Sequence, residues 1–442
     1  MQCVWRPGAG GRVDPSALGG RGCGMKNLLR FLVVWVFLPV VAVCGVPGVE
    51  QDSLFGKVVC GYQGWFRCEG DGANNGWHHY AAGGRFEPGV SHIEMWPDVS
   101  ELPAEERFAT PFRFADGGVA EVFSSARAAV VRLHFQWMRE YGIDGVLLQR
   151  FAASLRDPRF ARPMDAVLSH CREAAKQSGR RWALMYDLSG TGAEGLDRVR
   201  EDWKRLVRAG DFQREEVYLR HRGKPLVALW GLGFSDRAPH LDEWAALLRF
   251  FRDDPEFGGC ALLLGVPYHW RTLRGDAITD ARLQELLTQA DILSPWAVGR
   301  LATPQDAAGR VETVLKPDQV WCVEKGVDYL PVVFPGFSWH NLSKTRGKEA
   351  PVNEIPRREG RFLWEQAAAA VRSGARMVYV AMFDEMDEGT AIFKITNTPP
   401  VGASPFLSEP VPSDHYLWLT GRIGGMLRSG EVQAFPQRSI GR

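Results

Sequence analysis

Eight short, near-continuous apolar runs recur along the chain, and they most constrain what it can fold into. They lie at residues 57–62, 143–149, 182–188, 225–230, 260–266, 291–296, 329–334 and 376–383. A strand covered on both faces must be apolar throughout, whereas a half-exposed strand alternates. Between the runs, apolar residues recur at spacings of three and four, as on a helix with one buried face. Ala126, Val130, Leu133, Trp137 and Tyr141 form one such stripe, with Ser124/Ser125 placed to cap it and Gly142 to stop it. Similar helices are expected at 162–177, 196–209, 241–251, 281–289, 304–314 and 361–371. Eight strands alternating with helices predict a (β/α)8 TIM barrel. No Pro/Ser linker interrupts 50–430, so 45–400 reads as one barrel. The segment 401–442 is expected to pack on it through Tyr416, Leu417, Trp418 and Leu427. Residues 70–110 form a long loop insertion after strand one, with 92–96 as a short extra strand. No Gly-x-Gly-x-x-Gly follows the first strand, so a dinucleotide fold has no support.

The N-terminus reads as a targeting segment. Residues 1–24 are Gly/Arg-rich, and Met25 is an alternative start. Lys26 and Arg30 precede an uncharged apolar stretch, 31–43, that ends in small residues at Cys44-Gly45. A charged head, a short apolar run and a small-residue exit make a secretory signal, too short to span a membrane comfortably. Residues 1–44 are therefore expected to be removed, leaving a secreted or periplasmic protein; a lipoprotein anchored through Cys44 is the alternative. The whole chain has 53 Lys+Arg against 52 Asp+Glu, so no basic surface argues for nucleic acid. Five cysteines follow residue 44, an odd number at wide spacing, which suits buried thiols better than a disulfide framework.

In such barrels the site is built at the carboxyl ends of the strands. Here those ends carry Tyr62 and Trp65, Gln149 and Arg150, Asp187, Trp230, Tyr268, Trp296, then Trp339 and His340. The eighth run leads into Asp384-Glu385-Met386-Asp387-Glu388-Gly389-Thr390, four carboxylates within five residues. His78 and His79 follow Trp77 in the long first loop. Aromatic rings pack on sugar faces, and cleaving a glycosidic bond takes a carboxylic acid and a carboxylate together. Crowded, partly desolvated carboxylates supply both at neutral pH. Bland readings stand beside these: a solvated acidic loop or a calcium site for the acidic run, a helix cap for Asp187, a structural ion pair for Arg150. The acidic run lacks the alternating ligands of a calcium loop, and adjacent histidines in extended chain point apart. No metal and no cofactor are expected. The partner is a carbohydrate, bound either by a glycosidase or by a barrel that binds without turnover.

The run Asp384–Ile392 resembles the Asn-Glu-Trp-x-Glu-Gly-Thr-x-Ile motif of glycoside hydrolase families 71 and 99. Gly61-Tyr62-Gln63-Gly64-Trp65-Phe66 resembles their first-strand motif. Ile93–Asp98 and Trp137–Val146 resemble the secreted bacterial branch called 71/99-like, sometimes labelled xylosidase/arabinosidase. The resemblance implies a (β/α)8 barrel, glycoside hydrolysis with retention, and catalytic roles for Glu385 and Glu388. It implies that Glu385 deprotonates the sugar 2-hydroxyl, which attacks the anomeric carbon to form a 1,2-anhydro sugar, while Glu388 protonates the leaving oxygen. It also implies an acidic residue near the reacting sugar at Asp187. Asp384 stands for the motif's Asn, Met386 for its Trp, and Asp387 at its variable position.

Overall fold

The computed structural model describes residues 52–438. The expected signal segment, the Met25 start and Cys44 lie outside the described residues. Every one of the eight apolar runs forms a strand: β1 Val58–Tyr62, β2 Gly145–Phe151, β3 Arg181–Asp187, β4 Lys224–Trp230, β5 Ala261–Val266, β6 Ile292–Pro295, β7 Asp328–Tyr329 continued at Val332–Val333, and β8 Val378–Val380. All neighbours are parallel. Strand β7 closes the ring. Its first half pairs with β6, at Asp328↔Ile292, and its second half with β8, at Val332↔Tyr379. Pro331 sits at the change of partner; it lacks an N–H, and its carbonyl accepts from Tyr379 N–H at 3.0 Å.

Helices alternate with the strands and bury their apolar stripes on the barrel. The helix after β1 is Ala128–Tyr141, and it starts later than its serines imply. Ser124 instead donates to Asp71 at 2.6 Å and accepts from Ala126 N–H at 3.1 Å, a local turn ahead of the helix. After Pro304–Arg310 the helical path widens into a π turn at Val311–Leu315 and resumes as Lys316–Lys325, beyond the expected end. Pro317 withdraws one ladder N–H there. The helix His415–Ser429, in the segment 401–442, is the eighth of the ring and lies between Arg361–Arg372 and Ala128–Tyr141.

Gly421 of that eighth helix faces the carbonyl of Tyr141, and a Cβ there would come within 1.8 Å of the oxygen. Gly421→Ala must therefore push the two helices apart. Overpacking of this kind costs about 1–3 kcal/mol, and a rigid backbone atom puts this case at the upper end. Urea unfolding followed by far-UV dichroism should show that loss; an unchanged midpoint would mean the helix end is free to move.

The insertion after β1 runs further than expected. It contains an antiparallel hairpin, Phe108–Arg113 with Val119–Val122. Residues 92–96 do not form a strand. Glu94 N–H donates to the carbonyl of Met386 at 2.9 Å, so this stretch crosses the loop after β8 instead of pairing along an edge. The five cysteines among the described residues are free and buried. No helix among them is long and apolar enough to cross a membrane.

Candidate active site

The acidic run turns sharply at the mouth of the barrel. Asp384 is fully buried and accepts the backbone N–H of Gln63 at 2.7 Å and of Gly64 at 2.8 Å. One side chain thus ties the loop after β8 to the loop after β1. Next to it, Glu385 receives a donor on each oxygen: Gln63 Nε2 at 2.9 Å and Thr390 Oγ1 at 2.9 Å. Asp387 is also buried and meets His79 Nδ1 at 2.8 Å. The His79 ring stacks on Trp65 at 3.7 Å and 7°. Gly389 makes the turn possible: its φ is +66° and a Cβ would stand 3.0 Å from Ser338 N.

Glu385 and Glu388 open onto one cavity of about 290 Å³. That is the lower end of small-ligand clefts, about 300–1,000 Å³. Asp187, at the end of β3, adds a third carboxylate to its wall. The indoles of Trp65, Trp230 and Trp296 line the same wall, Trp65 stacked with His79 and Phe151 and the last two meeting edge-on at 5.6 Å. Several buried polar atoms of this wall have no protein partner: Gln63 Oε1, Gln149 Oε1, Trp65 Nε1 and Trp230 Nε1. Buried polar groups are nearly always satisfied, so such a set around one cavity is open to hydrogen bonding from water or from a polar ligand.

The electrostatics follow from burial. Desolvation lifts Asp384 to about 7 against the pull of its two N–H donors. Asp387 also rises to about 7, mainly by burial, with Arg346 opposing. Glu388 reaches about 7 through burial and then the charge of Asp387. Glu385 is raised well above the usual carboxylate range by burial, then by Glu388 and Asp387. The crowded carboxylates near Glu385 and Glu388 thus retain protons at neutral pH and titrate together. Two donors on Glu385 favour its charged form and oppose part of that rise, whereas the Glu388 side chain has no hydrogen-bond partner among the described residues. Burial also pushes His79 down to about 3, so a neutral ring shares the hydrogen bond with Asp387.

Of the residues singled out from the sequence, the cavity brings together Trp65, Gln149, Asp187, Trp230, Glu385 and Glu388. Asp384 stands behind them as a brace, and His78 and His79 line an adjoining chamber. Five others lie elsewhere. Tyr62 is buried against the helix Ala128–Tyr141, its hydroxyl 2.9 Å from His134 Nδ1. Arg150 is buried in an ion-pair cluster with Asp202 and Asp165. Tyr268 lies beside a separate small cleft that also holds Asp318 and Arg271. Trp339 and His340 are held by Glu354 and by the carbonyl of Ala350 and do not line the cavity. Gln63, Phe151 and Met382 complete the cavity without having been singled out. Each sits at or just past a strand's carboxyl end, the signal that could have found them.

No family model and no curated protein matches this chain. Solved structures do. The GH99 endo-alpha-mannosidase from Bacteroides thetaiotaomicron superposes with a TM-score of 0.61 at 16% identity, over 86% of this chain and 99% of that one. Its complex with bis-tris-propane superposes with a TM-score of 0.60 at 16% identity, over 85% and 98%. Fold and site together define a (β/α)8 barrel with a carboxylate-rich cavity at its carboxyl mouth. At that identity the likeness establishes the barrel architecture alone, over 85–86% of this chain.

Proposed function

We propose that this chain is a retaining glycoside hydrolase. The observation that carries the reading is the pair Glu385 and Glu388 on one sugar-sized cavity walled by indoles and unpartnered polar atoms. The fold shared with an endo-alpha-mannosidase structure supports it. Glu385, held charged by Gln63 and Thr390, is placed to take the proton of a sugar 2-hydroxyl as that oxygen attacks the anomeric carbon. Glu388, carrying the proton, donates it to the leaving oxygen. Water then opens the 1,2-anhydro ring, giving its proton to Glu388 as base while Glu385 returns its proton to the 2-oxygen, so configuration is retained. Asp187 and Gln149 orient the hydroxyls of the bound unit. A barrel that binds glycans without turnover is the competing reading. A screen of purified protein for reducing-end release from α-mannan, α-1,3-glucan and arabinoxylan oligosaccharides separates them.

The pH profile follows from the same pair. Glu388 must hold its proton, and its value of about 7 sets the alkaline limb. Glu385 must be charged, so activity also falls on acidification. We expect a bell-shaped kcat/KM with its optimum below about 7, and a loss of about tenfold per pH unit above it. An alkaline optimum would remove Glu388 from the acid role. The leader read at residues 25–44 supports export; N-terminal sequencing of the native protein should find a start near Gly45, and an intact leader on soluble protein would refute export.

A further inference from the structure

Gln63, Trp65 and Phe151 form a partition, and behind it opens a second chamber, also of about 290 Å³. Its lining contrasts with that of the first. Three carboxylates face the first cavity; none faces the second, where Arg67 lies instead. Arg67 is 2% exposed. Its Nη1 donates to the carbonyls of Gly64 at 2.8 Å and Phe66 at 3.0 Å, while its Nε has no partner. Among the described residues it makes no ion pair within 4.0 Å. Asp71 and Asp384 act on it only from further away. Both are already engaged, Asp71 by the N–H groups of Cys68 and Ala73 and Asp384 by those of Gln63 and Gly64.

A buried charge is almost always paired, because desolvating it alone is expensive. An unpaired guanidinium on the wall of an open chamber is a site waiting for an anion. The rest of the wall agrees. Asn75 Oδ1 has no partner and can accept from a hydroxyl. His78 is pushed down to about 3 by burial, so its neutral ring can donate without competing for the charge. Phe160 adds an apolar ring to the same wall.

We propose that this second chamber receives an anionic sugar unit adjacent to the unit being cleaved, with its carboxylate or sulfate group completing Arg67. The placement of the cleaved unit rests on the glycoside hydrolase reading; the anion site itself does not. Acidic glycans, built from uronic acids or bearing sulfate esters, are then the substrate class.

The test is calorimetric titration of the full chain carrying Glu385→Gln with methyl glucuronoside, glucose 6-sulfate and methyl glucoside. At least one acidic probe should bind about tenfold tighter than the neutral one, the gain of a charge-assisted pair. Binding of glucuronoside alone would assign a carboxylate, and binding of the sulfate alone a sulfate ester. Arg67→Met should abolish the preference. Should that variant fail to fold, Asn75→Asp places a near-isosteric negative charge on the same wall and should abolish it too. Equal binding of acidic and neutral probes, no binding of any, or a preference that survives the folded variants, overturns the proposal. A protein that prefers the acidic probes but hydrolyses no glycan would support this site and sink the hydrolase reading alone.

Discussion

Glu385→Gln and Glu388→Gln are each expected to lower turnover by about 10²–10⁴-fold while leaving the fold intact, since each removes an ionisable proton at nearly constant size. Both carboxylates line the same cavity, and burial raises both, followed by the charges of Glu388 and Asp387 for Glu385 and of Asp387 for Glu388. The two variants should differ in kind. An aryl glycoside leaves without much protonation, so Glu388→Gln should regain activity on such a substrate and Glu385→Gln should not. The double variant should cost far less than the product of the singles, because both groups serve one transition state. Asp387 is a poor control in this run. It is buried and bonded to His79, which stacks on Trp65, so Asp387→Asn should loosen the partition and reduce activity as well. Full activity in all three variants would place the chemistry elsewhere.

Asp384→Ala is expected to be the second most damaging change, through positioning. Its removal strands the N–H groups of Gln63 and Gly64 in a fully buried place, at about 1–3 kcal/mol per stranded group. Release from the charge-burial penalty that lifts Asp384 to about 7 offsets part of that cost. Gln63 then no longer holds Glu385 in place. Misplacement of a catalytic group by ~1 Å costs about 10² in rate. Asp384→Asn keeps one acceptor and should be much milder on both counts. Steady-state kinetics beside urea unfolding checks this; Asp384→Ala with undiminished kcat would show that Gln63 does not position Glu385.

The barrel was legible because parallel strands buried on both faces leave long apolar runs, and all eight did. What the runs conceal is side-chain direction. Gln149 and Arg150 are adjacent on β2 and must point to opposite faces. Gln149 faces the cavity, whereas Arg150 turns outward to Asp202 on the helix Ala193–Gly210. The same alternation sends Tyr62 toward His134. That much was available from strand parity. The braces were not: Gln63 with Glu385, and His79 with Asp387, join loops more than 300 residues apart. Their partners are set by how the long insertion folds over the barrel mouth, which no local pattern encodes. The eighth helix was legible only as an apolar tail, because the loop from β8 to His415 separates it from its strand.

Cleavage with retention by the Glu385/Glu388 pair leaves its mark on the first product released. Proton NMR of the anomeric region during hydrolysis tests it most directly, run on whichever of the α-mannan, α-1,3-glucan or arabinoxylan oligosaccharides the protein cleaves. The first reducing end to appear should have the anomeric configuration of the bond broken, mutarotation to the other anomer should follow, and neither signal should grow with Glu385→Gln. A first product of inverted configuration, or the same rate from the Glu385→Gln protein, would contradict it.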